Sequence, residues 1–382
     1  MSTRLKSRWI AALAGALALA GPAYAGSAGS LESEFDAAFN AMKTVAAKPV
    51  APVRAAPRMT GSVAAPQQFV ATSSVRPIFS GPVFTGIAPA VSTFPSQSIP
   101  RSLEAQIAAL ADGTQGRIGV AALDLRTGRT LTVLGSQPFP MASTSKIAIA
   151  ATFLAGVDAG RLNLATQYPM MMPLPSKKFA GPIAPVRPGA MYSALELMEL
   201  SLTRSDNHAT DALLAAVGGP QAVTRWVQSR TGITEFSLDR DIATLVRDDG
   251  AVNPAYTVDR RDSVTPMAMV RLLSGLYRGD WLSPTSRDVL LGAMGRCVTG
   301  RNRIKALLPE GTQVAHKTGT LNNTSSDVGI IRTPDGHDMA VAIYVTGQGT
   351  KAGRESRIAN LARALYDGYL VDAPGQHGTA LR

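Results

Sequence analysis

Met141-Ala142-Ser143-Thr144-Ser145-Lys146 runs directly into the apolar stretch Ile147-Ala148-Ile149-Ala150-Ala151. On a helix, the three-residue spacing stacks Ser143 and Lys146 on one face, one turn apart. A serine hydroxyl is a poor nucleophile until a base takes its proton. A lysine serves as that base when burial or a neighbouring cation lowers its pKa. Ser143 is the only serine in the chain with a lysine three residues later. Taken alone, a helix N-cap serine followed by a solvated lysine accounts for the pair. Its meaning depends on what surrounds it.

From Ser102 onward the pattern is that of a folded unit. Ser102 to Ala111 reads as a helix. Arg117 to Leu125 and Thr130 to Val133 read as a hairpin turning at Arg126-Thr127-Gly128-Arg129. The Ser143 helix is expected to reach about Gly156. Ser193-Ala194-Leu195-Glu196 has the spacing of a capping box, opening a helix through Leu202. Further helices are expected at Ala209–Ala216, Gln221–Arg230, Pro266–Tyr277 and Pro284–Met294. Three strands follow at Gln313–Thr318, Ser326–Ile331 and Asp338–Val345, and then a helix from about Glu355 to Leu370. Two strands, many helices, three strands and one helix exclude an alternating βαβ plan. They imply an α/β (α+β type) architecture: an antiparallel sheet from both chain ends, flanked by helices, plus an all-helical lobe.

The N-terminal part has a different character. Arg4, Lys6 and Arg8 precede an apolar run from Trp9 to Ala20, and Ala23-Tyr24-Ala25 supplies a small-x-small cleavage site. These features predict a signal peptide over 1–25 and export to a bacterial periplasm or the exterior. The apolar run is too short to span a bilayer, and no transmembrane segment is expected in the mature chain. Residues 26–100 read as a Pro/Ala-rich tether, with a short amphipathic helix around Leu31 to Val45. Nine prolines fall between Pro49 and Pro100, and no acidic residue does. The folded domain is expected over 101–372, with a tail at 373–382.

Charge does not point to nucleic acid. Of the net +11, residues 1–25 carry +3 and residues 26–100 carry +2. The remaining +6 is spread without a basic run or an aromatic-interleaved stripe, so no nucleic-acid partner is expected. The single cysteine, Cys297, forbids an internal disulfide, and no histidine neighbours it in sequence. A buried structural thiol is expected there. No histidine–carboxylate cluster has metal-ligand spacing, so neither a metal nor a cofactor is expected. The expected assembly is a monomer.

Two more short motifs follow the pair in order: Ser205-Asp206-Asn207 after a helix, and Lys317-Thr318-Gly319-Thr320 at a strand end. A helix-cap turn and a strand-end turn explain each one singly. Together with Ser143 and Lys146 they match the S-x-x-K, S-D-N, K-T-G set of penicillin-recognising serine enzymes. Other segments extend the match: Arg117-Ile118-Gly119-Val120, Phe139-Pro140-Met141-Ala142-Ser143, Gly218-Gly219-Pro220, Thr265-Pro266, and Gly300-Arg301 with Arg303-Ile304. Over most of residues 101–371 the chain resembles the class A β-lactamase family, and so a β-lactamase/transpeptidase-like fold.

The resemblance implies roles. Ser143 is the residue acylated by the β-lactam carbonyl, and Lys146 takes its proton, directly or through water. Ser205 relays a proton toward the lactam nitrogen, with Lys317 adding positive charge beside it. Asn207 binds the substrate's acylamide. Thr318 and Thr320, joined by Gly319, hold its carboxylate. The backbone N–H groups of Ser143 and Thr320 form the oxyanion hole. Asp206 is expected to be a loop anchor.

One departure limits the match. The family's water-activating glutamate follows a Leu-Asp-Arg-like segment, here Leu238-Asp239-Arg240-Asp241-Ile242-Ala243. Direct register puts Ile242 at the glutamate position. Asp241 lies one position early and one methylene short, and is the displaced candidate. Asp248, Asp249, Asp259 and Asp262 are further candidates, each with a solvated loop charge as its bland alternative. His316, beside Lys317, suggests a packing residue or a titratable modulator. Three readings remain: a β-lactamase; a D-alanyl-D-alanine peptidase or penicillin-binding protein acting on peptidoglycan peptides; and a non-catalytic wall-binding homologue.

Overall fold

The computed structural model describes residues 102–334 and 336–371. The signal peptide, the tether with its Leu31–Val45 helix, and the 373–382 tail lie outside the described residues.

Helix α1 (Leu103–Leu110) leads into β1 (Ile118–Asp124) and β2 (Thr130–Val133). Three long strands close the domain: β8 (Gln313–Leu321), β9 (Thr324–Arg332) and β10 (Asp338–Thr346). They form one antiparallel five-stranded sheet in the order β2-β1-β10-β9-β8. Pairing of Ile118 with Val345 joins the two ends of the domain, as the strand order predicts.

Alternation divides β10 between two cores. Met339, Val341, Ile343 and Val345 pack with α1 and the last helix, α9 (Lys351–Val371). Ala340, Ala342 and Tyr344 face the helical lobe. Both faces are covered, so β9 and β10 are buried along their whole length. That is why they read as near-continuous apolar runs rather than as half-exposed strands.

The lobe contains α2 (Lys146–Asp158), α3 (Ala194–Thr203), α4 (Asn207–Ala216), α5 (Pro220–Thr231), α6 (Ile242–Arg247), α7 (Pro266–Arg278) and α8 (Pro284–Gly295). The Ser193/Glu196 capping box is present at the start of α3. Thr265 caps α7, Pro266 opens it, and Gly279 ends it at φ 78°.

The lobe is not all-helical. It carries a hairpin, β4 (Gln167–Pro173) and β5 (Val186–Ser193), with a register shift between Pro169 and Met171. Prolines and a methionine run mask its alternation. A small sheet of two-residue strands, β3 (Phe139–Pro140), β7 (Ser263–Val264) and β6 (Phe236–Ser237), ties the nucleophile segment to the loop after α5. Such strands are too short to give a periodic signal. The six-residue α6 is hidden in sequence for the same reason.

Candidate active site

The nucleophile segment is a 3-10 turn, Ala142–Ser145, and α2 begins at Lys146 rather than before Ser143. In 3-10 geometry residues i and i+3 eclipse, so Ser143 and Lys146 still share a face. The turn is over-determined. Ala142 sits at φ 48°, a conformation that L-residues avoid unless held. Thr144 Oγ1 donates to Met141 O at 2.7 Å, and Ser145 Oγ to Ala142 O at 2.9 Å. Strand β8 presses on it from outside. A Cβ on Gly319 would stand 2.7 Å from Met141 O and 2.4 Å from Ser326 Oγ. Only glycine fits that approach. Ser143 itself is half-buried.

Lys146 is fully buried. Its Nζ lies 2.7 Å from Ser205 O, 2.8 Å from Asn207 Oδ1, 3.2 Å from Asp206 O and 3.3 Å from Ser205 Oγ. Four oxygens share the amine's hydrogens, and Ser143 Oγ is not among them. The Ser205-Asp206-Asn207 loop is shaped for this. Ser205 adopts φ 60°, and Asp206 caps α4 by accepting from Ala209 N at 2.8 Å, the anchoring role expected of it.

Lys317 Nζ donates to the same Ser205 Oγ at 2.9 Å and to Thr318 O at 2.9 Å. Ser205 Oγ is therefore bracketed by two buried amines. Burial, and then the charge of Lys317, hold Lys146 well below the usual lysine range. Burial brings Lys317 down to about 8, even though Cys297 and Asp327 pull it up.

The rest of the strand motif is held from behind by Arg303. This nearly buried guanidinium donates to Gly319 O and Ser326 O, both at 2.8 Å, and to Thr320 Oγ1 at 2.7 Å. It also pairs with Glu355 of α9 at 3.1 Å. Thr320 is exposed at the strand end, while Thr318 is buried with its hydroxyl 2.7 Å from Thr299 Oγ1. Strand β8 is the sheet edge, so no further strand covers the main-chain groups on its outer side.

The loop carboxylates differ from the expectation of solvated charges. Asp248 is buried, paired with Arg247 at 2.7 Å and accepting from Phe179 N. Asp262 is buried and accepts from Asp239 N, Arg240 N and Arg240 Nε. Asp249 accepts from Asn322 N, and Asp259 pairs with Arg261. All four are committed to holding the loop. Asp241 is half-buried and caps α6, its Oδ1 accepting from Thr244 N at 2.7 Å. Ile242 is buried in the lobe core.

A carboxylate that the sequence reading passed over stands beside them. Asp211 is buried in α4, one turn beyond Asn207. It accepts from Ile242 N at 2.7 Å and Ala243 N at 2.9 Å. Burial pushes its carboxyl up to about 7, with the Asp241 charge adding to the rise and the two N–H groups and Lys146 opposing it. The signal was available: Asn207 and Asp211 are four apart, so they share a helix face. Asn207, Asp211 and Ile242 line a cavity of about 300 Å³ that reaches to Pro173 and Leu174 on the β4–β5 side.

Cys297 is buried, as expected, and the charge and hydrogen bonding of His316 act on its thiol although the two are distant in sequence. Among the described residues no group of three or more His, Cys, Asp or Glu side chains could hold a metal. No described helix is long and apolar enough to cross a membrane.

The family model described as "Beta-lactamase enzyme family" matches residues 102–369. The chain is 30% identical over 284 residues to the extended-spectrum β-lactamase PER-1 of Pseudomonas aeruginosa, covering 72% of this chain and 90% of that one. It is 31% identical over 265 residues to β-lactamase Toho-1 of Escherichia coli, covering 69% and 88%. Among solved structures, a class A β-lactamase reconstructed as the last common ancestor of Gram-negative bacteria is 34% identical. Its TM-score is 0.59, covering 70% of this chain and 99% of that one. A β-lactamase from Chitinophaga pinensis is 27% identical with a TM-score of 0.61, covering 70% and 99%. The family model, the relatives and the shared architecture agree: this chain belongs to the class A β-lactamase family of serine hydrolases.

Proposed function

We propose that the protein is an exported serine β-lactamase-like hydrolase that opens the β-lactam amide by acylation of Ser143. The observation that carries the reading is Ser205 Oγ, bracketed by Lys146 Nζ and Lys317 Nζ at 3.3 and 2.9 Å. Burial, and then the charge of Lys317, hold Lys146 well below the usual lysine range, which suits it to take the proton. Ser143 Oγ attacks the lactam carbonyl and its proton passes to Lys146. The oxyanion is met by the N–H groups of Ser143 and Thr320. As the C–N bond breaks, Ser205 delivers a proton to the lactam nitrogen and is resupplied from Lys146. Asn207 holds the acylamide. Thr318 and Thr320 hold the carboxylate, with the Arg303 and Lys317 charges behind them.

Breaking the ester is the weaker half. Ile242 offers no base. Asp211 spends both carboxylate oxygens on α6. Asp241 spends one oxygen on its cap and keeps the other, so it is the group assigned to activating water. Deacylation is accordingly slower than acylation. The same Ile242 favours a second reading, a D-alanyl-D-alanine peptidase or penicillin-binding protein acting on peptidoglycan peptides. Export rests on the signal-like residues 1–25.

A labelled penicillin separates the readings. Intact mass follows the adduct on Ser143 while chromogenic cephalosporin hydrolysis follows turnover. An adduct that forms and clears supports the hydrolase; one that persists supports the peptidase. Hydrolysis by a Ser143→Ala protein defeats both.

A further inference from the structure

Strand β8 presents different chemistry on its two sides. Lys317 turns toward Ser205, while His316 and Thr318, one residue to either side, share the opposite face. On that face His316 is fully buried. Its Nδ1 lies 2.8 Å from Asp327 Oδ1 and 3.0 Å from Oδ2, on β9. Asp327 is itself fully buried and fixed by Ile304 N at 3.2 Å. The carboxylate therefore sets the ring, and Nε2 is left without a hydrogen-bond partner among the described residues. The nearby group whose charge couples to the ring is the thiol of Cys297, just past the end of α8. Cys297, His316 and Asp327 thus form one buried cluster, an imidazole oriented by a carboxylate and coupled to a thiol.

The thiol is also wired to the substrate side of the strand. Cys297 Sγ lies 3.2 Å from Thr299 Oγ1, which lies 2.7 Å from Thr318 Oγ1. We propose that Cys297 is an oxidisable regulatory site, activated by His316 and Asp327, which reacts with hydroperoxides and thereby alters the Thr299–Thr318 hydroxyl pair beneath the carboxylate-binding end of β8. Burial pushes the thiol up, but His316, Thr299 and Lys317 outweigh it and leave it at about 7. Asp327 and Cys297 in turn outweigh burial at His316, leaving it at about 9. Proton transfer from sulfur to imidazole is consistent with both directions.

The step balances. The thiolate sulfur attacks one peroxide oxygen, and an S–O bond forms as the O–O bond breaks. Sulfur gives up two electrons, which the peroxide gains. The departing hydroxide takes the Nε2 proton of His316 and leaves as water. The sulfenic acid places a new oxygen among the Cys297, Thr299 and Thr318 side chains. No second cysteine exists in the chain to form an internal disulfide. External thiols restore the sulfur through a mixed disulfide.

The chemistry stands apart from the hydrolase reading; only its effect on acylation rests on it. The test exposes the whole protein to hydrogen peroxide and traps sulfenic acid with a 1,3-diketone, locating it by peptide mass so that methionine oxidation is distinguished. Cys297 is expected to react about tenfold faster than free cysteine at neutral pH. His316→Gln, with folding checked by thermal melting, is expected to remove that advantage. Labelled-penicillin acylation is expected to show KM raised about tenfold after oxidation, restored by dithiothreitol and absent in Cys297→Ser. A Cys297 rate no greater than that of free cysteine overturns the proposal, and where His316→Gln does not fold, that rate alone decides. An equal loss of acylation in Cys297→Ser overturns the link to Thr318. Absence of acylation in every untreated sample defeats the hydrolase reading instead, while the mass readout still decides the oxidation.

Discussion

Lys146 and Lys317 place their amines on one oxygen, Ser205 Oγ, at 3.3 and 2.9 Å. Neither has a carboxylate among its hydrogen-bond partners. Two protonated amines on one hydroxyl repel, so the arrangement favours a state in which one amine is neutral. Lys146, held well below the usual lysine range by burial and then by the Lys317 charge, is assigned that state.

Acylation is therefore expected to have a bell-shaped pH dependence. Its acid limb rises as Lys146 loses its proton, which happens well below the usual lysine range. Its alkaline limb falls as Lys317 titrates near about 8 and the positive charge beside Ser205 disappears. Single-turnover acylation by a labelled penicillin, followed from acid to alkaline pH, checks both limbs. A profile still rising above the Lys317 midpoint contradicts the assignment.

Ser205 combines a functional oxygen with a left-handed backbone at φ 60°. Ser205→Ala and Ser205→Gly are both expected to slow acylation about 100-fold or more. They should differ in stability. Glycine relieves the strained backbone, so Ser205→Gly is expected to exceed Ser205→Ala by about 1 kcal/mol in denaturant unfolding.

Ile242→Glu is expected to speed loss of the acyl group, because it restores a carboxylate at the position where the family carries its base. The change buries a charge in the lobe core and should cost about 1–3 kcal/mol. Asp241→Asn is expected to slow deacylation while leaving acylation intact. Adduct lifetime by intact mass reads both variants, and an unchanged lifetime in Asp241→Asn removes Asp241 from the mechanism.

Asp211 gives a stability signature. Its folded pKa, about 7, is above its ordinary 3.8. Between these values the folded protein holds a proton that the unfolded chain has released. Stability therefore falls as pH rises through that window, by an amount on the order of a few kcal/mol. Asp211→Asn is expected to flatten the dependence of melting midpoint on pH over the same range. It also loses one of the two bonds to α6, so it should melt below the wild type at its most stable pH.

Arg303 is the structural support of the substrate strand. Arg303→Met removes the guanidinium partner of Glu355 and one donor from each of two carbonyl oxygens. A loss of about 3–5 kcal/mol is expected on unfolding by urea. Arg303→Lys restores charge but not the forked geometry, and is expected to recover less than half of the loss.

The legible part of the molecule was the part with period or motif. Long strands such as β10 and capped helices such as α3 show themselves through a continuous apolar run and through Ser193/Glu196. Ser143, Lys146, Ser205, Asn207 and Lys317 stand at one place in the fold, as their motif order implies. What stayed hidden was made by contact across the chain. The β4–β5 hairpin lacks alternation because Pro169 and Pro188 fall within its strands. Asp211 looks like an ordinary helix residue until Ile242 N is placed on it. Cys297 and His316 are too far apart in sequence for either to predict the other. The bland reading of Asp248 and Asp262 failed because their partners, Arg247 at the end of α6 and Arg240 in the loop before it, look equally ordinary in sequence.

The sheet closes by pairing Ile118 with Val345, and the substrate strand β8 belongs to its late half. Ser143 and Ser205 are synthesised long before Lys317. Until β8 docks against the 3-10 turn, Lys146 lacks the neighbouring amine that lowers its pKa, and Thr320 has no place beside Ser143. An incompletely folded chain is therefore chemically silent, unable to acylate itself on a passing electrophile. Catalytic competence in this protein reports that the last strands have arrived.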